Sequence, residues 1–409
     1  MKQVLLSINN YFYMRGGAEA VFLRHNALFG EAGWEVIPFA MRHENNLPSP
    51  WARYFVQEIE FGQDYSLMEK LARAPRIIYS LEARRNVRRL IAERRPAIAH
   101  AHNVYHHISP SIFGVLKQAG IPVLLTLHDL KIACPAYQML AHDGVCERCK
   151  NGRLSNVVRH RCIKGSLPLS TLIFLESWVH RRLGCYTRNV SHFIVPSRFY
   201  REKLVEWGMD RERIAYIPNF ADVEAFPPGG RPGRRFVYFG RLSPEKGIAT
   251  LIEAAALAGV PLTIVGSGAQ EAGLRALAGR LRADVRFAGY RKGRELHDLV
   301  HDSRAVVLPS EWYENAPMSI LEAYALTRPV IGADIGGIPE MIRRGETGEI
   351  FTPGDVHGLA AVLTRFSRMA DADIVSMGRE GRAWVGESFS AARYRDRVSA
   401  LYARFLPSP

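Results

Sequence analysis

Residues 306–326 read VVLPSEWYENAPMSILEAYAL. Val306, Val307 and Leu308 have the character of a buried strand end. Asn315-Ala316-Pro317-Met318-Ser319 reads as a helix start, with proline suited to a first helical position. A strand that ends in a short loop and feeds a helix is the unit from which α/β lobes are built. The first N–H groups of such a helix have no backbone partner and attract anions. Two carboxylates flank this start, Glu314 and Glu322, eight positions apart. On this segment alone two readings stand. Either the pair belongs to a site for a phosphorylated ligand, or Glu314 is a solvated loop residue and Glu322, three after Ser319, closes a capping box.

The same alternation of short apolar runs with longer amphipathic stretches recurs along the chain. Strands are expected at 4–8, 35–39, 97–102, 122–127, 192–196, 236–239, 262–265, 285–288, 305–308 and 329–332. Continuous apolar strands separated by helices argue for parallel sheets covered on both faces. The pattern runs once, breaks at Pro227-Pro228-Gly229-Gly230-Arg231-Pro232-Gly233, and runs again. The fold class is therefore α/β, with two Rossmann-like doubly wound parallel-sheet lobes over 1–217 and 218–389 and a hinge within 217–233. In such sheets ligands bind beyond the carboxyl ends of the strands.

A chain of 409 residues accommodates two or three domains, and 47% hydrophobic with 23% charged residues is the composition of a soluble globular protein. No apolar run approaches bilayer-spanning length, and the first residues have too short an apolar core for a secretory signal. These features read as a cytoplasmic protein. Residues 1–217 hold 30 Lys+Arg against 18 Asp+Glu, a net of +12, while 218–389 hold 20 against 21, a net of −1. The basic excess gathers in Arg84-Arg85, Arg88-Arg89, Arg94-Arg95 and Arg181-Arg182. Such a lobe suits a peripheral position on an anionic membrane face or a phosphorylated acceptor. A solvated helix face explains the same residues. Nucleic acid is disfavoured, because no aromatics interleave with the arginines and no recognition motif is present.

After the expected strand 236–239 comes Gly240-Arg241-Leu242-Ser243-Pro244-Glu245-Lys246-Gly247. Arginine forks onto two phosphate oxygens and lysine adds a mobile point charge, so Arg241 and Lys246 beside a helix start form a candidate diphosphate clamp. Val265-Gly266-Ser267-Gly268 is too short for a dinucleotide fingerprint and reads as a tight turn. In the first lobe, Arg15-Gly16-Gly17-Ala18-Glu19 follows the first strand and opens a helix, which lets backbone approach a ligand.

With Gly16-Gly17-Ala18-Glu19, Arg241 through Lys246, and the Glu314–Glu322 pair in this order, the chain resembles the retaining glycosyltransferases of family 4. The resemblance covers nearly the whole chain and implies the GT-B architecture, two lobes facing across a cleft. It implies transfer of a sugar from a nucleotide diphosphate donor to a glycan or lipid-linked acceptor, in surface polysaccharide or glycolipid synthesis. Carried over by residue, Arg241 and Lys246 neutralise the leaving diphosphate, and Glu322 accepts hydrogen bonds from the ribose. Glu314 lies near the donor sugar, with the backbone of Asn315, Ala316, Pro317, Met318 and Ser319 against sugar hydroxyls and phosphate. Gly16 and Gly17 close on the donor, and His128 contacts the sugar. The tail 390–409 returns to the first lobe as a final helix. No catalytic metal is implied, and Asp371-Ala372-Asp373 is an incidental Asp-x-Asp.

Four of the five cysteines, Cys134, Cys146, Cys149 and Cys162, cluster just after His128 in an insertion over about 134–162. A CxxC flanked by two further cysteines suits a tetrahedral structural zinc site. An iron–sulfur cluster is the other metal reading, and unligated buried thiols the plain one. Any such site would order an acceptor-side loop. His100, His102, His106 and His107, with no carboxylate or cysteine among them, read as a polar cleft wall.

Overall fold

The computed structural model describes residues 2–59, 75–142 and 144–406. Its first six-stranded sheet comprises β1 (Val4–Ile8), β2 (Glu35–Phe39), β3 (Ile98–Ala101), β4 (Val123–Thr126), β5 (His192–Val195) and β6 (Ile214–Tyr216). These lie in the order β2-β1-β3-β4-β5-β6, all parallel. The second comprises β7 (Arg235–Phe239), β8 (Leu262–Val265), β9 (Val285–Gly289), β10 (Ser303–Leu308), β11 (Val330–Ala333) and β12 (Gly348–Phe351), ordered β9-β8-β7-β10-β11-β12 and again parallel. Every residue of β1 and β10 is buried. That is why those strands read as apolar runs: helices cover both faces of each sheet.

Strand order reverses between β1 and β3 in the first sheet, and between β7 and β10 in the second. These are the switch points where an open parallel sheet leaves a crevice beyond its strand ends. The loops issuing there are 9–16 and 102–107 in the first lobe, and 240–247 and 309–317 in the second.

The chain leaves the first lobe's core at Ile217 and Phe220 and enters the second's at Ala221. It returns beside that crossing, where Ala221 N donates to the Phe389 carbonyl (3.0 Å). The last helix, Ala391–Ala403, then packs Tyr394, Val398, Leu401 and Tyr402 onto Leu5, Val21, Phe29 and Ile98 of the first lobe. The breaker-rich residues 227–233 are therefore not the interlobe connection. Gly229 N donates to Thr327 Oγ1 (2.7 Å), and the buried Arg328 donates to the Gly230 carbonyl (3.1 Å), so the stretch is fastened to the second lobe. Proline and glycine marked irregular backbone there, not a hinge.

Two sheet strands escaped the sequence reading. β6 is only three residues long, and β12 has a half-buried centre at Glu349 and Ile350. Both lie at sheet edges, where the apolar run that betrays a central strand is absent. A two-stranded antiparallel ribbon, Leu140–Ala141 with Gly144–Val145, lies within the cysteine insertion.

Candidate functional site

The second lobe's switch point is built by two loops locked together. Gly247, at φ +62°, follows the Arg241–Lys246 turn and starts helix Ile248–Ala258; a Cβ there would lie 1.9 Å from the Pro309 carbonyl. Only glycine permits that approach. Glu311 N donates to the Glu245 carbonyl (2.9 Å), joining the turn to the loop after β10. The buried Glu245 carboxylate accepts from Arg241 Nη2 (3.0 Å) and Ser243 Oγ (2.6 Å), while the Arg241 side chain stays 63% exposed. One edge of the Arg241 guanidinium is thus held by a buried anion while the rest of the side chain is offered to solvent.

Lys246 Nζ donates to Glu314 Oε1 (2.6 Å), which also accepts from Ser310 Oγ (2.7 Å). Burial pushes the Glu314 carboxyl up, but the Lys246 charge and these hydrogen bonds outweigh it and leave the net pKa below the ordinary value. Glu314 is therefore held as a carboxylate, and Lys246, with three donors, keeps capacity for a second anion. The Glu314 carbonyl accepts from Gly337 N (2.8 Å).

Asn315 faces the other lobe. Its Oδ1 accepts from Ser197 Oγ (2.8 Å) and its Nδ2 donates to the Leu127 carbonyl (3.0 Å), next to His128. Asn219 Nδ2 donates to the Ala316 carbonyl (2.9 Å). These side-chain and carbonyl groups fasten the lobes across the cleft. Pro317 is the N-cap of helix Met318–Ala325, not its first residue, and no side chain caps that helix. Ser319 therefore lies inside the first turn and the capping box does not form. The Glu322 side chain is instead half-buried, and its carboxylate takes no hydrogen bond from the described residues. Burial raises its pKa to about 7, tempered by Arg24 of the facing lobe. Arg24 Nη1 is itself buried without a hydrogen-bond partner.

In the first lobe, Gly16 caps helix Gly17–Glu31 with extended backbone, and a Cβ at Gly17 would meet Met318 Cγ at 3.4 Å. The glycine loop and the helix start at Met318 thus meet across the cleft. His128 Nε2 shares a hydrogen bond with His102 Nδ1 (2.8 Å), and the two rings stack at 5.1 Å and 16°. Burial lowers the His128 pKa to about 4, so the ring is neutral near pH 7. His100 stacks beneath His102 and bonds Tyr402 OH (2.6 Å) and Thr126 Oγ1 (2.7 Å). His100 and His102 have no exposed surface, and His25 joins them. The expectation of a polar cleft wall is corrected for this pair. They are inner layers of a stack, because His100 sits on β3, a strand buried on both faces, and His102 follows it directly under His128.

The sequence matches the model of the family described as Glycosyltransferase Family 4 over residues 15–225, and that described as Glycosyl transferases group 1 over 229–383. The chain belongs to glycosyltransferase family 4. Among its relatives is a glycogen synthase of Mycobacterium tuberculosis, 30% identical over 283 residues, covering 66% of this chain and 59% of the relative. The amylovoran biosynthesis glycosyltransferase AmsK of Erwinia amylovora is 30% identical over 210 residues, 47% of this chain and 51% of the relative. The chain thus spans between half and three-fifths of these relatives' length. The structure of Anabaena HepE in complex with UDP and glucose superimposes with a TM-score of 0.67 at 17% identity, over 99% of this chain and 100% of that one. This likeness is one of fold, the GT-B arrangement of two facing lobes.

In this family 4 chain the structure brings the expected residues to one interlobe cleft from both sides: Gly16, Gly17 and His128 from the first lobe, Arg241, Lys246, Glu314, the 315–319 segment and Glu322 from the second. Sequence reasoning missed Glu245, Ser310 and Arg24, and it read His102 without its stack onto His128. Glu245 lay inside the very turn being read, and its burial was the signal that spacing does not carry. Asp371 is occupied structurally, accepting from Arg304 (2.8 Å) and Arg231 (2.9 Å). Of the clustered arginines, Arg84 donates to Tyr79 OH (2.6 Å) and Arg94 pairs with Glu35, so part of the basic excess holds the lobe together. Arg181 and Arg182 are exposed on helix Leu167–Leu183 beside Trp178 (53% exposed) and Leu183 (50%). No helix among the described residues is long and apolar enough to cross a membrane.

Cys134, Cys146, Cys149 and Cys162 line one small cavity together with His160. Burial and mutual proximity push Cys134 up to about 11 and Cys149 up to about 12. Among the described residues, the one trio of potential ligand atoms within 4.8 Å of one another is His25, His100 and His102. The thiols therefore surround their cavity without closing on it.

Proposed function

We propose that this chain moves a sugar from a nucleotide diphosphate sugar to a glycan or lipid-linked acceptor, with retention of anomeric configuration, in the assembly of a surface polysaccharide. The observation that carries this reading is the pair of cations at the second lobe's switch point. Arg241 and Lys246 are each held by a buried carboxylate and each keeps donor capacity toward the cleft. When the anomeric C1–O bond breaks, its electron pair goes to the departing diphosphate, and cations already in place lower that barrier without reorganising. The acceptor oxygen forms the new bond to C1, and its proton leaves on the departing phosphate oxygen. Glu322 and Arg24, a half-buried acceptor and an unmet donor on opposite walls, suit the polar groups of the nucleoside. His128, neutral, supplies a hydrogen bond rather than a charge to the sugar. AmsK and the UDP complex of HepE bear names that agree with a polysaccharide pathway and a nucleotide donor. The exposed Trp178 and Leu183 beside Arg181 and Arg182 suit an acceptor presented at an anionic lipid surface.

The test is a thermal-shift screen against UDP-, GDP- and ADP-sugars, followed by product analysis with lipid-linked oligosaccharide acceptors in anionic vesicles. A donor that raises the melting temperature and yields product with the donor's own anomeric configuration is the expected outcome. Inverted product would overturn retention. Conversion of the sugar without any acceptor would replace transfer by epimerisation.

A further inference from the structure

The cysteine insertion has a geometry the reaction does not use. Its four thiols come from three separate segments: Cys134 after β4, the Cys146–Cys149 pair after the antiparallel ribbon, and Cys162 after the short helix Asn156–Arg159. They converge on a cavity of about 10 Å³. That is room for roughly one water-sized sphere, the scale of a single ion. Four sulfur donors around one small void are the donor set of structural zinc. Arg148 Nη1 stands 3.8 Å from Cys146 Sγ, a cation placed to offset the excess negative charge of four thiolates around a divalent ion. The histidine trio is the poorer candidate despite its tighter spacing. Both ring nitrogens of His100 are already hydrogen-bonded, to Tyr402 and Thr126, and the residue has no exposed surface.

We propose that Cys134, Cys146, Cys149 and Cys162 bind one zinc ion, and that this ion fixes the contact between the insertion and the donor-site loop of the opposite lobe. Each thiol gives its proton to solvent as it ligates. The coupling runs through Glu147, which lies between the two cysteines of the CxxC. Its Oε1 accepts from Tyr313 OH (3.0 Å) and Lys203 Nζ (2.7 Å). Tyr313 immediately precedes Glu314, the partner of Lys246. The Tyr313 ring also packs on Phe199 at 4.8 Å. Glu147 is thus held at both shoulders by ligands, so the position of its carboxylate follows that of the ion. Without the ion the CxxC rests on few local bonds, among them Cys146 N to the Met139 carbonyl (2.7 Å) and Asn156 Nδ2 to the Arg148 carbonyl (2.6 Å).

The experiment is elemental analysis of the full chain purified without chelator, together with hydrogen exchange of the 310–317 loop. About one zinc and negligible iron per chain is expected. Cys149→Ser should lower zinc content at least tenfold. Because that variant can lose its fold, the wild-type measurement decides alone: a folded wild-type chain holding no metal, with all four thiols open to a thiol reagent, overturns the site. Several irons per chain overturn it equally. Glu147→Gln should keep its zinc yet speed exchange in 310–317, and unchanged exchange there overturns the coupling. None of these readouts depends on transfer, so the site and the proposed reaction fail separately.

Discussion

The two switch points face each other across one cleft and solve burial in opposite ways. The second lobe keeps formal charges at its strand ends: Arg241 on Glu245, and Lys246 on Glu314. The first lobe keeps neutral imidazoles. Burial lowers His25 to about 3 and His128 to about 4, and drives His100 and His102 well below the ordinary value, with neighbouring histidines adding to the effect. A buried charge persists only when paired, whereas a buried titratable group without a counterion gives up its charge. The difference teaches that the second lobe brings paired formal charges to its switch point, whereas the facing switch point is lined by neutral rings and leaves Arg24, unpaired among the described residues, beside them. The facing lobe offers neutral rings, close backbone approach at Gly17 and the cation Arg24.

The largest break in this comparison comes from the charged lobe. Lys246→Ala should lower kcat about 10²–10³-fold, the usual loss when a preorganised group facing developing negative charge is removed. Lys246→Arg should recover part of it, and near-normal turnover in Lys246→Ala would end the clamp assignment. The next effect sits on Glu322, whose carboxyl titrates near pH 7. Its ionised form accepts two hydroxyl hydrogen bonds, so sugar-nucleotide affinity should rise as pH climbs from 6 to 8. Glu322→Gln should bind about 10-fold more weakly and flatten that profile. An equally steep profile in the glutamine variant, by calorimetry with a sugar nucleotide, assigns the titration elsewhere.

The smallest effect tests the neutral lobe. Histidines whose folded pKa lies below the unfolded value bind more protons when unfolded. Stability is therefore full above about pH 6.5 and is lost as pH falls toward 4. Each fully shifted histidine costs about 2 kcal/mol by pH 5. Hydrogen exchange at pH 7.5 and 5.0, corrected for intrinsic rates, should show β3 losing protection while β10 changes little. Equal loss in both strands would erase the distinction between the lobes.

How much of this was legible before folding follows from burial. The strands fully buried on both faces, β1 and β10 above all, announced themselves as unbroken apolar runs. The edge strands β6 and β12 did not, because half their surface has no apolar requirement. The glycine turn at 240–247 and its two cations were readable from local sequence. Its buried Glu245 was not, since a glutamate in a turn looks solvated until the neighbouring loop closes over it. The helix start at 317–319 was placed almost correctly, yet its geometry removed the capping box and left Glu322 unpartnered. Residues 227–233 misled in the opposite direction, because local breakers say nothing of what the backbone is bonded to.

The sequence by itself determined that this chain forms two parallel-sheet lobes and which residue types stand at their strand ends, because period, breakers and loop chemistry are local properties. Only the tertiary structure decided which carboxylate pairs and which stands alone, that three imidazoles stack from core to cleft, and that Glu147 of the cysteine insertion touches Tyr313. Those relations join residues up to hundreds of positions apart. They depend on desolvation and on close approach across a cleft, and neither is written in the spacing of a chain.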